Sequence, residues 1–438
     1  MPLGQRAVVI GGSMAGLLAA RVLSDYFAEV VLFERDVLPA AAADRKGVPQ
    51  GRHAHGLLAS GLKILQTLFP GVVDELTARG ALHVDIKGLR WFDHGGYQAR
   101  CSGIDALLQS RALLEATVRA RLRAIPNVRI VDGVAVDSLM ASADRSRVEG
   151  VRTRRMAGGA EEALTCDLTV DAAGRGSRTP AWLREMGFAA PAEDEVKVGL
   201  GYSTRIFKRT PDHLDGDVAM IIPTAPPATR GAGLLAMEGD RWMVTLFGML
   251  GDHPPTDAPG FLEFASTLPA PDVYNLIRDA EPLTDIIGFK YPTTSRRHYE
   301  GLRRFPEGFL VFGDAICSFN PIYGQGMSTA ALQAQALASC LSEGRTKIST
   351  RFFSSAAKVL ETPWLMSVGG DLRYPSIEGP RTRMGDFMNW YLGKLQIAAR
   401  RDPALTFTFH SVANLLMPPP ALLKPNIALR VVRGNLFH

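Results

Sequence analysis

The sequence predicts an α/β protein in which a discontinuous parallel-sheet domain carries an inserted mixed, mostly antiparallel β-sheet domain and ends in a C-terminal helical region. Three observations predict it. A β-branched run, Ala7 to Ile10, breaks into the small residues Gly11-Gly12-Ser13-Met14-Ala15-Gly16 and then into Leu17, Leu18, Val22 and Leu23 at helical spacing, the signature of strand, tight turn and helix. The same texture returns at Gly308 to Met327. Between them, from Glu193 to about Pro292, short apolar runs punctuated by proline and glycine read as an antiparallel sheet with one face open to a ligand.

The first turn has the chemistry of a phosphate site. Glycine admits backbone angles and close approaches that a side chain would block, and free amides at a helix start favour a pyrophosphate. The pattern is Gly11-x-Ser13-x-x-Gly16, so serine replaces the middle glycine of the usual dinucleotide fingerprint, and its hydroxyl can donate to a phosphate. Glu29 to Phe33 reads as a second strand ending in Glu34. A carboxylate there is placed to take both hydroxyls of an adenosine ribose and disfavours a 2′-phosphate.

Composition narrows the class. A chain of 438 residues implies two or three domains, and 46% hydrophobic residues make it globular. The net charge of +5 is spread among acids and not gathered in blocks, which does not imply nucleic acid. Cys101, Cys166, Cys317 and Cys340 lie far apart without CxxC spacing, arguing against zinc and against a disulfide scaffold. His53 and His55 could share a strand face but have cations beside them and no acid or cysteine, so no metal is expected; their loop is expected to approach the cofactor. With no charged leader and no apolar run of ~18 residues, the protein is expected to be soluble, cytoplasmic and without a transmembrane segment.

In order, Leu57 to Arg79 reads as two helices broken at Pro70, and Leu82 to Arg100 as strands. Ile104 to Ile125 is predicted as one long amphipathic helix with Asp105 as an early cap and Arg111 inside it. Val128 to Val131 is a strand, Gly133 to Met140 and Arg147 to Arg154 a meander, and Leu164 to Val170 a single strand. That strand runs into Asp171-Ala172-Ala173-Gly174-Arg175-Gly176-Ser177-Arg178 and a helix from Pro180, again suited to a polar ligand. Gly308 to Gly313 is a buried strand ending in Asp314, whose charge needs a hydrogen-bonding partner such as a ligand hydroxyl. A helix from Met327 to Leu341 follows; the last ninety residues are helical, with Trp364, Phe387, Trp390, Tyr391 and Leu395 at helical offsets, expected to pack over a substrate cavity.

Together, Gly11 to Gly16 with Glu34, Asp171 to Arg178, and Gly313-Asp314 followed by Pro321 and Gly324-Gln325-Gly326-Met327 resemble the three fingerprints of FAD-dependent aromatic hydroxylase-type monooxygenases. Val48 to His55 and Gly174 to Pro180 resemble the squalene-epoxidase-like branch, which includes bacterial polyene epoxidases. The resemblance implies a Rossmann-like FAD-binding domain in three parts, residues 1–81, 101–192 and 293–345, with substrate-facing strands at 82–100, a substrate domain at 193–292 and a helical region at 346–438. It implies that Gly11, Gly12, Ser13, Met14, Ala15 and Gly16 cradle the pyrophosphate. Glu34 would hold the adenosine ribose, Arg35 lie near the adenine or phosphates, and Val136 lie against the adenine. Arg111 would reach the flavin side, Asp171 and Gly174 belong to the middle fingerprint, and Gly313 and Asp314 bind the ribityl or pyrophosphate region. Pro321, Gly324, Gly326 and Met327 would lie beside the isoalloxazine. Ser13 and Ala172-Ala173 depart from the family pattern, which puts the nicotinamide contacts in doubt.

The implied activity is transfer of one oxygen atom from dioxygen, through a flavin hydroperoxide, to an apolar natural product: a polyene, terpenoid or aromatic polyketide, by epoxidation or ring hydroxylation. The alternative on a similar scaffold is an FAD-dependent reductase of isoprenoid double bonds. Electrons would come from NAD(P)H directly or through a separate flavin reductase, since no second nucleotide-binding fold is evident. No residue is singled out as a catalytic acid or base.

Overall fold

The structure, a computed structural model, describes residues 2–436. Its parallel sheet is ordered Phe309–Val311, Leu168–Asp171, Gly4–Ile10, Phe27–Glu34, Val128–Asp132, every neighbouring pair parallel. The helices Met14–Leu23, Arg111–Arg123 and Gly326–Ser342 pack together on this unit, and a three-stranded antiparallel meander, Val134–Ala141, Val148–Arg155 and Glu162–Thr165, also packs against the sheet. Cover on both faces explains the continuous apolar run at the centre of the sheet: Ala7, Val8 and Val9 are all fully buried.

The second sheet has eight strands, ordered Cys317–Ser318, Ile287–Arg297, Glu193–Lys208, Arg241–Gly248, Arg230–Met237, Ala219–Ile222, Leu89–Asp93, Gly96–Tyr97. It is antiparallel except where Ala219–Ile222 pairs in parallel with Leu89–Asp93. Alternation assigns its faces. Met220, Ile222, Ala232, Leu234, Val244 and Leu246 bury against the helices Ala258–Ser266 and Asp272–Asp279 in a core of their own. The opposite alternation, including Tyr202, Phe247 and Tyr291, joins the core of the parallel-sheet unit. The face that a ligand could use is therefore turned toward the first sheet.

Two expectations fail. The segment 104–125 is not one helix: Asp105–Leu108 is a strand paired with Leu82–Asp85, and the helix Arg111–Arg123 starts at a Ser110 cap that accepts from the Leu113 amide at 3.1 Å. The apolar Ala-Leu-Leu run satisfies either period, and sheet pairing wins because Leu82 to Asp85 offers a partner edge. Residues 164–170 likewise split, Glu162–Thr165 into the meander and Leu168–Asp171 into the parallel sheet. The C-terminal helices Arg383–Ala399, Pro403–Ala413 and Pro425–Leu436 form a small core around Leu395, Leu405 and Val412. Trp364, Tyr391 and Leu395 are buried as their spacing predicts, but Phe387 and Trp390 face outward. Among the described residues no helix is long and apolar enough to cross a membrane.

Candidate functional site

The first turn is built as a cradle. Gly11 has φ +101°, and a Cβ on it would lie 2.7 Å from the Ala172 carbonyl oxygen; a Cβ on Gly16 would overlap the Gly11 carbonyl. Gly12 N–H donates to Glu34 Oε2 at 2.7 Å, and Asp36 N–H to Glu34 Oε1 at 2.9 Å. Ser13 stands at the N-cap of Met14–Leu23 without capping it by its side chain, and no acid occupies the first turn. Its Oγ instead accepts from Arg111 Nη2 at 3.1 Å. The helix start keeps free amides with a guanidinium beside them, a setting for an anion.

Behind this turn lies a buried ionic network. Arg111 meets Glu115 at 2.7 Å; Arg45 meets the same carboxylate at 2.8 Å, Asp36 at 3.1 Å and Glu34 at 3.2 Å; Arg119 approaches Glu115 at 3.6 Å. Burial alone would push the Glu115 carboxyl up, but Arg111 and Arg45 outweigh it and hold it below the ordinary value. Two donors are left over: Arg111 Nη1 and Arg45 Nη2 are buried with no partner. Orphaned guanidinium hydrogens cost about 1–3 kcal/mol each unless a ligand takes them.

The two later glycine segments converge on the first. Gly313, at φ +68°, approaches so closely that a Cβ would lie 2.6 Å from that of Ala15. Its amide is held by Gln333 Oε1 at 2.9 Å, while Gln333 Nε2 and Gln325 Oε1 are buried without partners. Gly174–Gly176 packs beside Gly313–Ala315. Burial lifts the Asp314 carboxyl to about 6, although Arg175 and Arg111 oppose the shift. Arg175 also sits over the Tyr291 ring at 4.7 Å. Pro321–Tyr323 is a single 3-10 turn closed by Gly324 at φ +65°, and the helix Gly326–Ser342 begins with Gly326 and the half-buried Met327, uncapped by any side chain.

Asp171 is the exception among the expected cofactor residues. Its carboxylate, fully buried, takes the Ala173 amide at 2.9 Å and the Ser177 and Thr179 hydroxyls at 2.5 Å each. It builds the turn that presents Gly174, at φ +71°. Met14 is buried and supports the turn from within; Arg35 is exposed and Val136 half-buried on the meander. The loop of His53 and His55 lies between the two sheets: His53 Nδ1 meets Thr204 Oγ1 at 2.8 Å, and His55 Nδ1 meets the His53 carbonyl at 2.9 Å. Among the described residues no metal-holding cluster of histidine, cysteine or carboxylate is present.

Arg45, Glu115, Arg175, Tyr291, Gln325 and Gln333 were not among the residues the sequence singled out for a site. One signal was there: Arg111, Glu115 and Arg119 stand four apart on one helix face, and all three are buried. Glycine cradles at the Gly11–Gly16 and Gly313 turns, an uncapped helix start and orphaned donors together fit a long anionic cofactor bearing many hydroxyls, as FAD is.

The comparisons agree with that fit. The family described as FAD binding domain matches residues 5–346. Protein Rv3254 of Mycobacterium tuberculosis is 34% identical over 94% of this chain and 89% of its own length, and a kynurenine 3-monooxygenase of Salinispora arenicola is 27% identical over 77% and 72%. Among solved structures, the probable FAD-dependent monooxygenase PqsL of Pseudomonas aeruginosa superposes with a TM-score of 0.63 at 16% identity, over 84% of this chain and 97% of its own, a likeness of fold. The flavin cradle, the order of its three segments and these matches place the chain in the FAD binding domain family, as an FAD-dependent enzyme of the monooxygenase type.

Proposed function

We propose that the protein inserts one oxygen atom from dioxygen into an apolar, unsaturated or aromatic natural product, by epoxidation or ring hydroxylation, with NAD(P)H as the electron source directly or through a separate flavin reductase. The observation that carries this reading is the convergence of the Gly11–Gly16, Gly174–Gly176 and Gly313–Met327 segments beneath the inner face of the eight-stranded sheet. Bound and reduced, FAD supplies the activation of dioxygen. The chain's own residues bind and shield. The Ser13 helix start with Arg111 would hold the pyrophosphate, Glu34 the adenosine ribose and Asp314 a ribityl hydroxyl, and the amides opening the helix at Gly326 would favour negative charge beside them. Tyr202, Phe247 and Tyr291 on the facing sheet present apolar surface that excludes water from the reacting carbon. The segments Val48 to His55 and Gly174 to Pro180, similar to those of the squalene-epoxidase-like branch, favour polyenes, terpenoids and aromatic polyketides as substrates.

The test is incubation of the FAD-loaded protein with NADPH or NADH, a flavin reductase and ¹⁸O-labelled dioxygen over a panel of polyenes and hydroxylated polycyclic aromatics. The reading expects a product that gains one labelled oxygen atom. A product that gains hydrogen and no label would transfer the assignment to double-bond reduction.

A further inference from the structure

Two neighbouring rings, His53 on its loop and Tyr202 on the inner face of the eight-stranded sheet, each carry a polar atom without a partner. His53 is 3% exposed and Tyr202 6% exposed, and neither His53 Nε2 nor the Tyr202 hydroxyl makes a hydrogen bond. Their rings are neighbours, with centroids 5.0 Å apart, and Phe289 lies 5.7 Å from each, nearly parallel to Tyr202 at 12°. Tyr202 shares the inner face of the sheet with Tyr291, whose ring carries the Arg175 guanidinium at 4.7 Å, and Arg175 belongs to the Gly174–Gly176 turn.

The imidazole belongs to a short chain of hydroxyls. Ala54 N–H donates to Thr245 Oγ1 at 2.9 Å, Thr245 and Thr204 hydroxyls share a hydrogen bond at 2.7 Å, and Thr204 Oγ1 meets His53 Nδ1 at 2.8 Å. With the proton on Nδ1, one threonine hydroxyl hydrogen is left over in the interior. With Thr245 donating to Thr204 and Thr204 to Nδ1, both hydroxyl hydrogens are used and the one left over is the imidazole hydrogen on Nε2, which a ligand acceptor would take. Burial, with His55 and Arg52 nearby, lowers the His53 pKa to about 4, so the ring is neutral and carries a single N–H. Burial also raises the Tyr202 hydroxyl well above its ordinary value, so it too keeps its hydrogen.

We propose that His53 Nε2–H and the Tyr202 hydroxyl together bind a carbonyl or phenolic oxygen on a planar aromatic substrate that lies along Phe289, with Thr204 and Thr245 as positioning residues that lock the tautomer. This rests on the oxygenase reading for its meaning and narrows it: the substrate is apolar in bulk but carries one oxygen acceptor, as an aromatic polyketide does and a plain polyene hydrocarbon does not. Two donors that a ligand oxygen pairs select against an analogue lacking that oxygen, because the buried hydrogens would stay unpaired.

The experiment titrates the FAD-loaded protein, without any reductant, with 2-acetylnaphthalene and with 2-ethylnaphthalene, following perturbation of the flavin spectrum and equilibrium dialysis. The ketone is expected to bind about tenfold tighter or more than the hydrocarbon. Tyr202→Phe and His53→Leu are each expected to remove about tenfold of ketone affinity and leave the hydrocarbon unchanged, while His53→Gln, which keeps an amide donor, recovers part of it. Equal affinity for both probes, no ketone binding, or a ketone preference that persists in Tyr202→Phe and His53→Leu overturns the proposal. Since Tyr202→Phe removes a single hydroxyl, it remains informative if His53→Leu does not fold. Ketone selectivity without oxygen insertion would leave the binding pair standing and remove only the oxygenase reading.

Discussion

Arg111 donates to the Ser13 hydroxyl at 3.1 Å, joining the fourth helix of the chain to the glycine-rich turn at its start. The serine that replaces glycine in the fingerprint therefore anchors a cation at the helix start, where the macrodipole already favours an anion. The same Nη2 meets Glu115 at 2.7 Å, and Nη1 is buried without a partner.

Arg111→Ala should weaken FAD binding by about tenfold to a hundredfold, the scale of one or two lost charge-assisted hydrogen bonds. Ser13→Gly should weaken it less, because Glu115 still holds the arginine. Dissociation constants for FAD, measured on the deflavinated protein, check the order.

Glu115→Ala leaves Arg45, Arg111 and Arg119 facing one another without their shared carboxylate. Removal of one partner from a buried network costs about 3–5 kcal/mol, and urea unfolding at neutral pH should show a loss of that order. The double variant Arg111→Ala with Glu115→Ala should lose less than the sum of the single changes, since each removes the charge the other leaves unpaired.

Asp314 titrates near 6, raised mainly by burial and restrained by Arg175 and Arg111. Its ionised form is the better acceptor for a ribityl hydroxyl, so FAD affinity should rise with pH through about 6, and Asp314→Asn should flatten the profile. In the flavin-free protein the sign reverses for stability: a carboxyl whose pKa is raised by folding costs stability as pH climbs from its ordinary value near 4 toward 6. An unchanged slope in Asp314→Asn would exclude Asp314 as the titrating group.

His53, His55 and His410 are each depressed to about 4 by burial from the ordinary 6.5. The unfolded chain takes up these protons first, so stability should fall as pH drops from about 6.5 to about 4 and level off below. His410 meets Gln98 Oε1 at 2.8 Å through Nε2, and His410→Gln can keep that donor while removing the titration. Unfolding midpoints between pH 7 and 4 should show a shallower acid slope for that variant.

How much of this was legible in the sequence depends on what each residue had to satisfy. The Gly11–Gly16 and Gly313–Met327 turns were legible because close backbone approach admits little but glycine and leaves a mark at fixed spacing. The position of Glu34 was legible because it ends the apolar run Val30 to Phe33. Asp171 is ambiguous in sequence: an acid that ends a strand beside small residues looks the same whether it faces a ligand or takes hydroxyls such as those of Ser177 and Thr179 within its own turn. Residues 104–125 misled for another reason, since Ala106 to Leu108 suits a strand as well as a helix and only the distant Leu82–Asp85 edge decides. His53 and Tyr202 could not be paired from sequence at all, because their contact depends on the loop between two sheets whose strands are separated by more than a hundred residues.

The central claim is oxygenase chemistry in this cradle, and the reaction of the reduced protein with oxygen tests it most directly. The FAD-loaded protein is reduced anaerobically, mixed rapidly with oxygenated buffer in the presence of 2-acetylnaphthalene, and followed by flavin absorbance. The account predicts a transient absorbance distinct from both the reduced and the oxidised spectra before full reoxidation, and its decay with transfer of oxygen when a competent substrate is present. Direct single-step return to the oxidised spectrum, with and without the aromatic ligand, would contradict it.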